Sequence, residues 1–359
     1  MDISALYLKI QSQLDQQLPF VVYRKSGEKN LHSFLQNDNH LHELDSYNTS
    51  GFVFAPFDSE DKAIVIPIDK SAYYSAVVPE NALDTINPTK LKLADQNQTE
   101  KEKHMKLVCS GIEAIGEGSF RKVVLSRKEE VLFEHKDPLD AFQLLINNYP
   151  NAFVYCWYHP DIGIWLGATP ETLITIKDDT FFTMALAGTQ PYIDSLEVDW
   201  GEKEIEEQVM VTDFVLNELL SKVNTIEKSK TYTYKAGTLL HLRTDIKGTL
   251  KNESSNIEDI IKVLHPTPAV CGLPKREARC FILENEQYDR KYYTGFLGEL
   301  NITQSGKSES NLYVNLRCME IVQNKAIVYI GGGITKDSIP EKEWEETVRK
   351  TETMKKVLH

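Results

Sequence analysis

The sequence predicts an α+β fold, and two patterns carry that expectation. Short β-branched and aromatic runs follow one another with brief turns between residues 152 and 187 and again between 295 and 330, the spacing of an antiparallel or mixed sheet. Helical stretches interrupt these runs without settling into a regular strand–helix–strand alternation, which argues against a doubly wound parallel sheet. The 359 residues suffice for a large core in one big domain or two.

In chain order, residues 1–90 read as an opening helix and short strands at 20–24, 51–57 and 63–68, with nothing at catalytic spacing. The polar run 96–104 reads as a loop leading into a helical pattern through Val108, Ile112 and Ile115. Lys122–Arg127 (KVVLSR) is a strand, and Asp137-Pro138 opens a helix through Phe142, Leu145 and Ile146. Strands are expected at 152–159, 162–168, 172–177 and 181–187. Residues 202–223 form the clearest internal helix, with Val211, Phe214, Val215 and Leu219 as its apolar stripe. A strand over 237–250 carries His241, a helix spans 257–264, and 265–274 is a Pro-rich rigid loop before a helix through Ala278, Phe281 and Ile282. Strands at 295–302, 311–322 and 326–330 lead to a turn at Gly331-Gly332-Gly333 and a last helix from about Glu341. No internal repeat or low-complexity segment is visible.

A formal net charge of −13 with no basic stripe argues against nucleic acid as a partner. No apolar run reaches membrane-spanning length. The N-terminus has the character of neither a signal nor a transit peptide, so a cytoplasmic location is expected. Five scattered cysteines show no CxxC pair and signal neither zinc nor a disulfide framework. So acidic a chain can still take an acidic substrate if it brings local cations or a metal.

The residues that attract chemical attention are an ionisable pair at strand edges, Lys122 and Glu171 of LGATPE, with the outline of a base and an acid. Taken singly, Lys122 is an edge lysine that snorkels into water, and Glu171 a solvated turn carboxylate. Stepping back four residues from Val211 lands on Glu207, a carboxylate that continues an apolar stripe. On the last helix Glu343, Glu346 and Lys350 share one face, which could equally be a solvated ionic face. Two or three carboxylates from separate helices suit Mg²⁺, which takes few protein oxygens and completes its shell from substrate and water. Gly331–Gly333 could present N–H groups to an anion or be a plain turn. Arg317, on an alternating strand, could clamp a carboxylate. His241 alone reads as a satisfied core histidine.

In this order KVVLSR, LGATPE, LAGT with Gly188 and Thr189, the Glu207 helix, LLHL, HPTPAVCGLP with Ala269, YTGFLGE with Tyr293, NLRC and GGGI followed by EWEET resemble the chorismate-binding enzymes. That family holds isochorismate synthases, salicylate synthases and the synthase subunits of anthranilate and aminodeoxychorismate formation. The resemblance runs from about residue 100 to the C-terminus. It implies one large domain of layered, mostly antiparallel sheets surrounded by helices, with 1–100 a divergent N-terminal portion and 101–359 the catalytic core.

Residue by residue, the resemblance implies Mg²⁺ on Glu207 and Glu346 with Glu343 nearby, holding the ring carboxylate of chorismate. Gly188 and Thr189 would border the ring, and His241 would approach the ring carboxylate or the C2 region. Tyr293, Arg317, Gly331 and Gly333 would hold the enolpyruvyl chain, with Lys350 near the metal. The family's acidic helix often carries Arg-x-Glu-His where this chain has Ile205-Glu206-Glu207-Gln208, which leaves Glu206 and Glu204 as alternatives to Glu207. A lysine at 122 is the residue of members that add water, since ammonia-using members place a non-basic residue there. Ala269, where lyase-competent members often carry threonine, favours isochorismate as end product, for menaquinone or siderophore synthesis. The expected partner is the small molecule alone, with the chain a monomer or weak dimer. A non-catalytic chorismate-binding subunit is the alternative from another class, and the presence of both Lys122 and Glu171 argues against it.

Overall fold

Asp2 starts the first helix, its carboxylate accepting from the Ser4 and Ala5 amides that α1 (Ile3–Asp15) leaves without intrahelical partners. Leu6 and Ile10, one turn apart, are buried and seat this helix. Strands β1 (Phe20–Arg24), β2 (Asn30–Gln36), β3 (Gly51–Ala55), β4 (Ile64–Pro67) and β5 (Ser71–Val77) follow. The computed structural model describes residues 1–79, 98–237, 239–251, 257–304 and 307–358. Then come α2 (Gln98–Gly116), β6 (Lys122–Leu132), α3 (Pro138–Asn148), β7 (Phe153–His159), β8 (Gly163–Thr169), β9 (Thr172–Lys177), β10 (Thr180–Pro191) and α4 (Glu202–Leu219). The remainder is β11 (Val223–Lys228), β12 (Tyr232–Ala236), β13 (Leu239–Leu250), α5 (Ile257–Leu264), β14 (Gly272–Leu273), α6 (Lys275–Asn285), β15 (Phe296–Gln304), β16 (Lys307–Val314), β17 (Cys318–Val322), β18 (Lys325–Ile334) and α7 (Pro340–Lys355).

These strands form two nine-stranded sheets. The first runs β14-β6-β18-β17-β8-β7-β1-β2-β5; the second runs β11-β13-β10-β9-β16-β15-β3-β4, with β12 on β13. Neighbouring named strands pair antiparallel throughout the described residues. An aromatic layer joins the sheets: Tyr23, Phe34, Tyr155, Trp157 and Trp165 from the first meet Phe52, Phe54 and Tyr313 from the second. Phe153 stacks on Tyr313 at 4.0 Å. Rings of this size dominate the burial, and truncating Trp165 should cost about 3–5 kcal/mol. On the outer face of the first sheet lie α1 and α3; α4 and α5 cover the second. The layered α+β expectation is met, and the N-terminal strands are built into both sheets.

Four local expectations change. Gln98–His104 is the first part of α2 rather than a loop, with His104 buried; Gln96 and Asn97 lie outside the described residues. Strands β2, β5, β11 and β12 went unseen, the last two because they are largely polar and exposed. The single strand expected over 311–322 is two strands in different sheets, β16 and β17. Gly331–Gly333 is not a turn but the extended end of β18, paired with Ser126, Leu125 and Val124 of β6. No helix among the described residues is long and apolar enough to cross a membrane.

Candidate active site

Two of the places where the chain changes sheet lie side by side. Between β8 and β9 it leaves the first sheet at Pro170-Glu171; between β16 and β17 it returns at Asn315-Leu316-Arg317. The two corners are tied together: the Val314 amide donates to the Glu171 carbonyl (3.0 Å), the Ala168 amide to the Arg317 carbonyl (3.0 Å), and Thr169 Oγ1 to the Val314 carbonyl (2.6 Å). Each corner aims one ionisable side chain into the same cavity. Arg317 does so from a left-handed backbone, φ 48°, a conformation that costs on the order of 1–3 kcal/mol and is held by its surroundings.

Burial pushes the Glu171 carboxyl up to about 8, against the opposing pull of Lys122 and Arg317. It is therefore an acid that keeps its proton at neutral pH. Burial also lowers the Arg317 pKa, and among the described residues its guanidinium has no hydrogen-bond or ion-pair partner.

The far wall is β18 and β6. Strand β17 begins only opposite Tyr329, so the Gly331–Ile334 end of β18 projects past it with β6 alone as neighbour. The glycines lie at ordinary negative or extended φ, so the anion nest they suggested is not formed. They supply space instead. A Cβ on Gly331 would lie 3.0 Å from the Tyr293 hydroxyl, and one on Gly333 would collide with Glu207 and sit 3.1 Å from Lys122 Cε. Lys122 is wholly buried behind this strip. Its ammonium lies 2.7 Å from Glu207 Oε1, with no aligned hydrogen bond. In the sheet, β6 and β8 are three strand spacings apart, roughly 14 Å, so Lys122 and the Glu171 corner flank the cavity.

Two helices close it. On α4, Glu207 faces inward, whereas Glu206 is exposed and Glu204 turns toward Gly201 and Gly188. Gln208 fixes that rotation, its amide donating to the Ala185 carbonyl (3.1 Å) and Thr244 Oγ1 (2.9 Å). On α7, Glu346 Oε1 is 2.6 Å from Lys350 Nζ, which also donates to the Gly331 carbonyl (3.0 Å). Burial raises the Glu346 pKa and Lys350 outweighs it, leaving this carboxyl below the ordinary value. Glu343 pairs with Lys203 at 2.5 Å.

His241 Nδ1 is 2.8 Å from the Gly188 carbonyl; an oxygen that can only accept makes Nδ1 the donor and leaves the unpartnered Nε2 an acceptor. Burial holds the ring neutral, its pKa near 3.

The cavity is lined by Glu171, Gly188, Thr189, Glu207, His241, Ala269, Tyr293, Arg317, Gly331, Gly333, Glu346 and Lys350. Lys122 and Glu343 stand one layer behind the lining. The family described as chorismate binding enzyme matches residues 58–359.

The chain belongs to the chorismate-binding enzyme family.

Isochorismate synthase DhbC of Bacillus subtilis is 29% identical over 277 residues, 72% of this chain and 68% of that protein. Anthranilate synthase component 1 of Thermococcus kodakarensis is 30% identical over 268 residues, 72% of this chain and 60% of that protein. Among solved structures, a 2,3-dihydroxybenzoate-specific isochorismate synthase, DhbC, from Bacillus anthracis superposes with a TM-score of 0.77 at 24% identity, covering 97% of this chain and 99% of that one. The menaquinone-specific isochorismate synthase MenF of Escherichia coli gives 0.75 at 21% identity, covering 96% and 89%. These structures share the fold.

For a chorismate-binding enzyme the question of a metal turns on the carboxylates. A Cβ placed on Gly332 would lie 3.6 Å from Glu346 Oε1 and 3.7 Å from Glu343 Oε2, so the glycine opens a cradle between two acids. Hard oxygen donors around such a gap fit Mg²⁺. Among the described residues no three acidic, histidine or cysteine side chains are grouped so as to hold a metal ion; Glu207, Glu343 and Glu346 are each held by a lysine instead.

Sequence reasoning missed several contributors. Lys203 had a signal, four residues before Glu207 and so on the same helix face. Pro170, Leu186, Val270, Thr294 and Leu316 also line the cavity; each lies within a motif that carries the resemblance, close to the residue singled out there.

Proposed function

We propose that this enzyme is an isochorismate synthase, converting chorismate to isochorismate by adding water at C2 and expelling the C4 hydroxyl. One observation carries the reading: a carboxyl that stays protonated to about pH 8, beside an unpartnered guanidinium, facing a buried lysine across the cavity.

In this reading Arg317 and Tyr293 hold the enolpyruvyl carboxylate, and Gly188 and Thr189 border the ring. His241 Nε2, being an acceptor, takes a hydrogen from a hydroxyl or water near C2 rather than opposing a carboxylate. Lys122 acts as base in its neutral amine form, after its ammonium has given up the contact with Glu207 and lost a proton to solvent: its nitrogen then takes a proton from water as the oxygen bonds to C2. Both ring double bonds shift, C1=C2 to C1=C6 and C5=C6 to C4=C5, and Glu171 gives its proton to the departing C4 oxygen, so water is regained; Lys122 and Glu171 then return to their starting protonation through solvent. Glu207, Glu346 and Glu343 would hold Mg²⁺, which when bound supplies positive charge to a substrate carboxylate that a chain of net charge −13 otherwise repels.

The test is purified protein with chorismate and Mg²⁺, followed for isochorismate, pyruvate, salicylate fluorescence and, with added ammonia, anthranilate. Isochorismate alone is expected, abolished by excess chelator and nearly so by Glu207→Ala or Glu346→Ala. Salicylate with pyruvate, or anthranilate, would replace the reading with that product, and full turnover in chelator would remove the metal from it.

A further inference from the structure

Strand β6, which carries Lys122, has an incomplete edge. On one side it pairs with β18 along its length; on the other β14 supplies only Gly272 and Leu273, opposite Val123 and Lys122. Residues 122, 124 and 126 turn their backbone polar groups to that side. The Val124 amide still finds the Cys271 carbonyl (2.7 Å), but beyond it no strand of the described residues pairs on this side. Unpaired buried backbone groups there would cost stability and leave the strand free to shift.

Two side chains stand in for the missing strand. Arg290 Nη2 donates to the Val124 carbonyl (2.7 Å), and Glu286 Oε1 accepts from the Ser126 amide (2.6 Å) and hydroxyl (2.9 Å). They also bind each other in a two-pronged pair, Nε to Oε2 at 2.7 Å and Nη2 to Oε1 at 2.6 Å, both side chains almost fully buried. Arg290 Nη1 reaches the Val270 carbonyl (3.0 Å) and Thr294 Oγ1 (3.2 Å). All five guanidinium N–H groups are thus used. Val124, Val270 and Thr294 each line the cavity, from a strand, the Pro-rich loop and the segment after Tyr293.

We infer that Arg290 and Glu286 are positioning residues for the reaction. They touch no part of the cavity's free volume, yet one guanidinium sets the spacing of three of its walls, and with Glu286 it fixes the strand that aims Lys122. Lysine cannot replace this arginine, because one ammonium cannot reach acceptors lying on four separate groups.

The inference rests on the isochorismate synthase reading, and its test separates the two. Parental enzyme, Arg290→Lys and Glu286→Gln are assayed on chorismate well below their melting temperatures. Rates are divided by the folded fraction from near-UV circular dichroism, and chorismate affinity is measured by calorimetry. A parent that leaves chorismate unchanged sinks the functional reading, not the positioning of the walls. With an active parent, kcat per folded Arg290→Lys molecule should fall on the order of 10- to 100-fold, the scale of a misplaced reacting group. Affinity should stay within about threefold, because neither residue meets substrate. Loss of stability alone would leave kcat per folded molecule untouched, so a value within about twofold of the parent overturns the inference. Should Arg290→Lys not fold, Glu286→Gln, which keeps shape and one acceptor, decides by the same criterion.

Discussion

Strand β6 passes through two buried ionic clusters only a few residues apart, and they are built in opposite ways. Around Val124 and Ser126, Arg290 and Glu286 are saturated, every guanidinium hydrogen spoken for. At Lys122 the ammonium has one ill-aligned contact, and across the cavity Arg317 has none among the described residues, while burial raises the Glu171 pKa to about 8. Buried charge is expensive unless satisfied. The saturated cluster meets that cost within the fold. The unsaturated one leaves it to be met by something that arrives. Satisfaction of donors, more than burial or charge, separates the part of this molecule that holds shape from the part that binds.

Substitutions can break that contrast. The largest effect belongs to the unsaturated side: Lys122→Gln or Glu171→Gln should lower isochorismate formation by about 10²- to 10⁴-fold, with the double variant no worse than either single one. Glu171→Gln should melt at or above the parent, since a poorly solvated carboxyl has been removed, and Lys122→Gln, which leaves only Glu207 without its cation, should lose less stability than Arg290→Lys. If Lys122→Gln melts as early as Arg290→Lys, the two clusters do not differ in the way described.

A smaller effect is expected from Arg317→Lys, which keeps the charge and loses the fork. Its kcat/KM for chorismate should drop on the order of 10-fold, the worth of one charge-assisted hydrogen bond. Unchanged kinetic constants would make Arg317 part of the scaffold.

The smallest effect is one of pH. The Glu171 pKa rises from the ordinary 4.5 to about 8 on folding, so the neutral form is favoured by the fold. That contribution is complete below pH 4.5 and is lost as pH climbs through about 8. Melting curves of the parent minus those of Glu171→Gln should therefore decline across this window, and turnover should fall on its alkaline side as the acid deprotonates. A flat difference would place Glu171 in water.

Much of this was legible in the chain. Strand β9 and helix α5 fall where periodicity puts them, and α3 begins at the Asp137 cap. Most of the residues that the motifs singled out line one cavity, with Lys122 and Glu343 one layer behind it. What stayed hidden depended on partners distant in sequence. Nothing in Asn311–Val322 says that the chain breaks at Asn315, because both halves alternate as strands do and only the cross-sheet bonds to Thr169 and Glu171 make the corner. Arg290 and Glu286 look like ordinary charges after a helix, and their hydrogen-bond partners on β6 lie more than a hundred residues away. Gly331–Gly333 was read for backbone freedom when its use is the lack of a side chain.

That glycine strip has a consequence for anyone mapping this protein by saturation mutagenesis. Alanine at Gly333 would displace both Glu207 and Lys122, so the position should score as intolerant as the acid and base themselves. A fitness map would then mark an inert stretch of strand as if it reacted. Alanine at Gly332 would put its Cβ into the gap between Glu346 and Glu343, where the metal is proposed to sit. Low scores along three consecutive codons would then mark a requirement for empty space rather than for reacting groups.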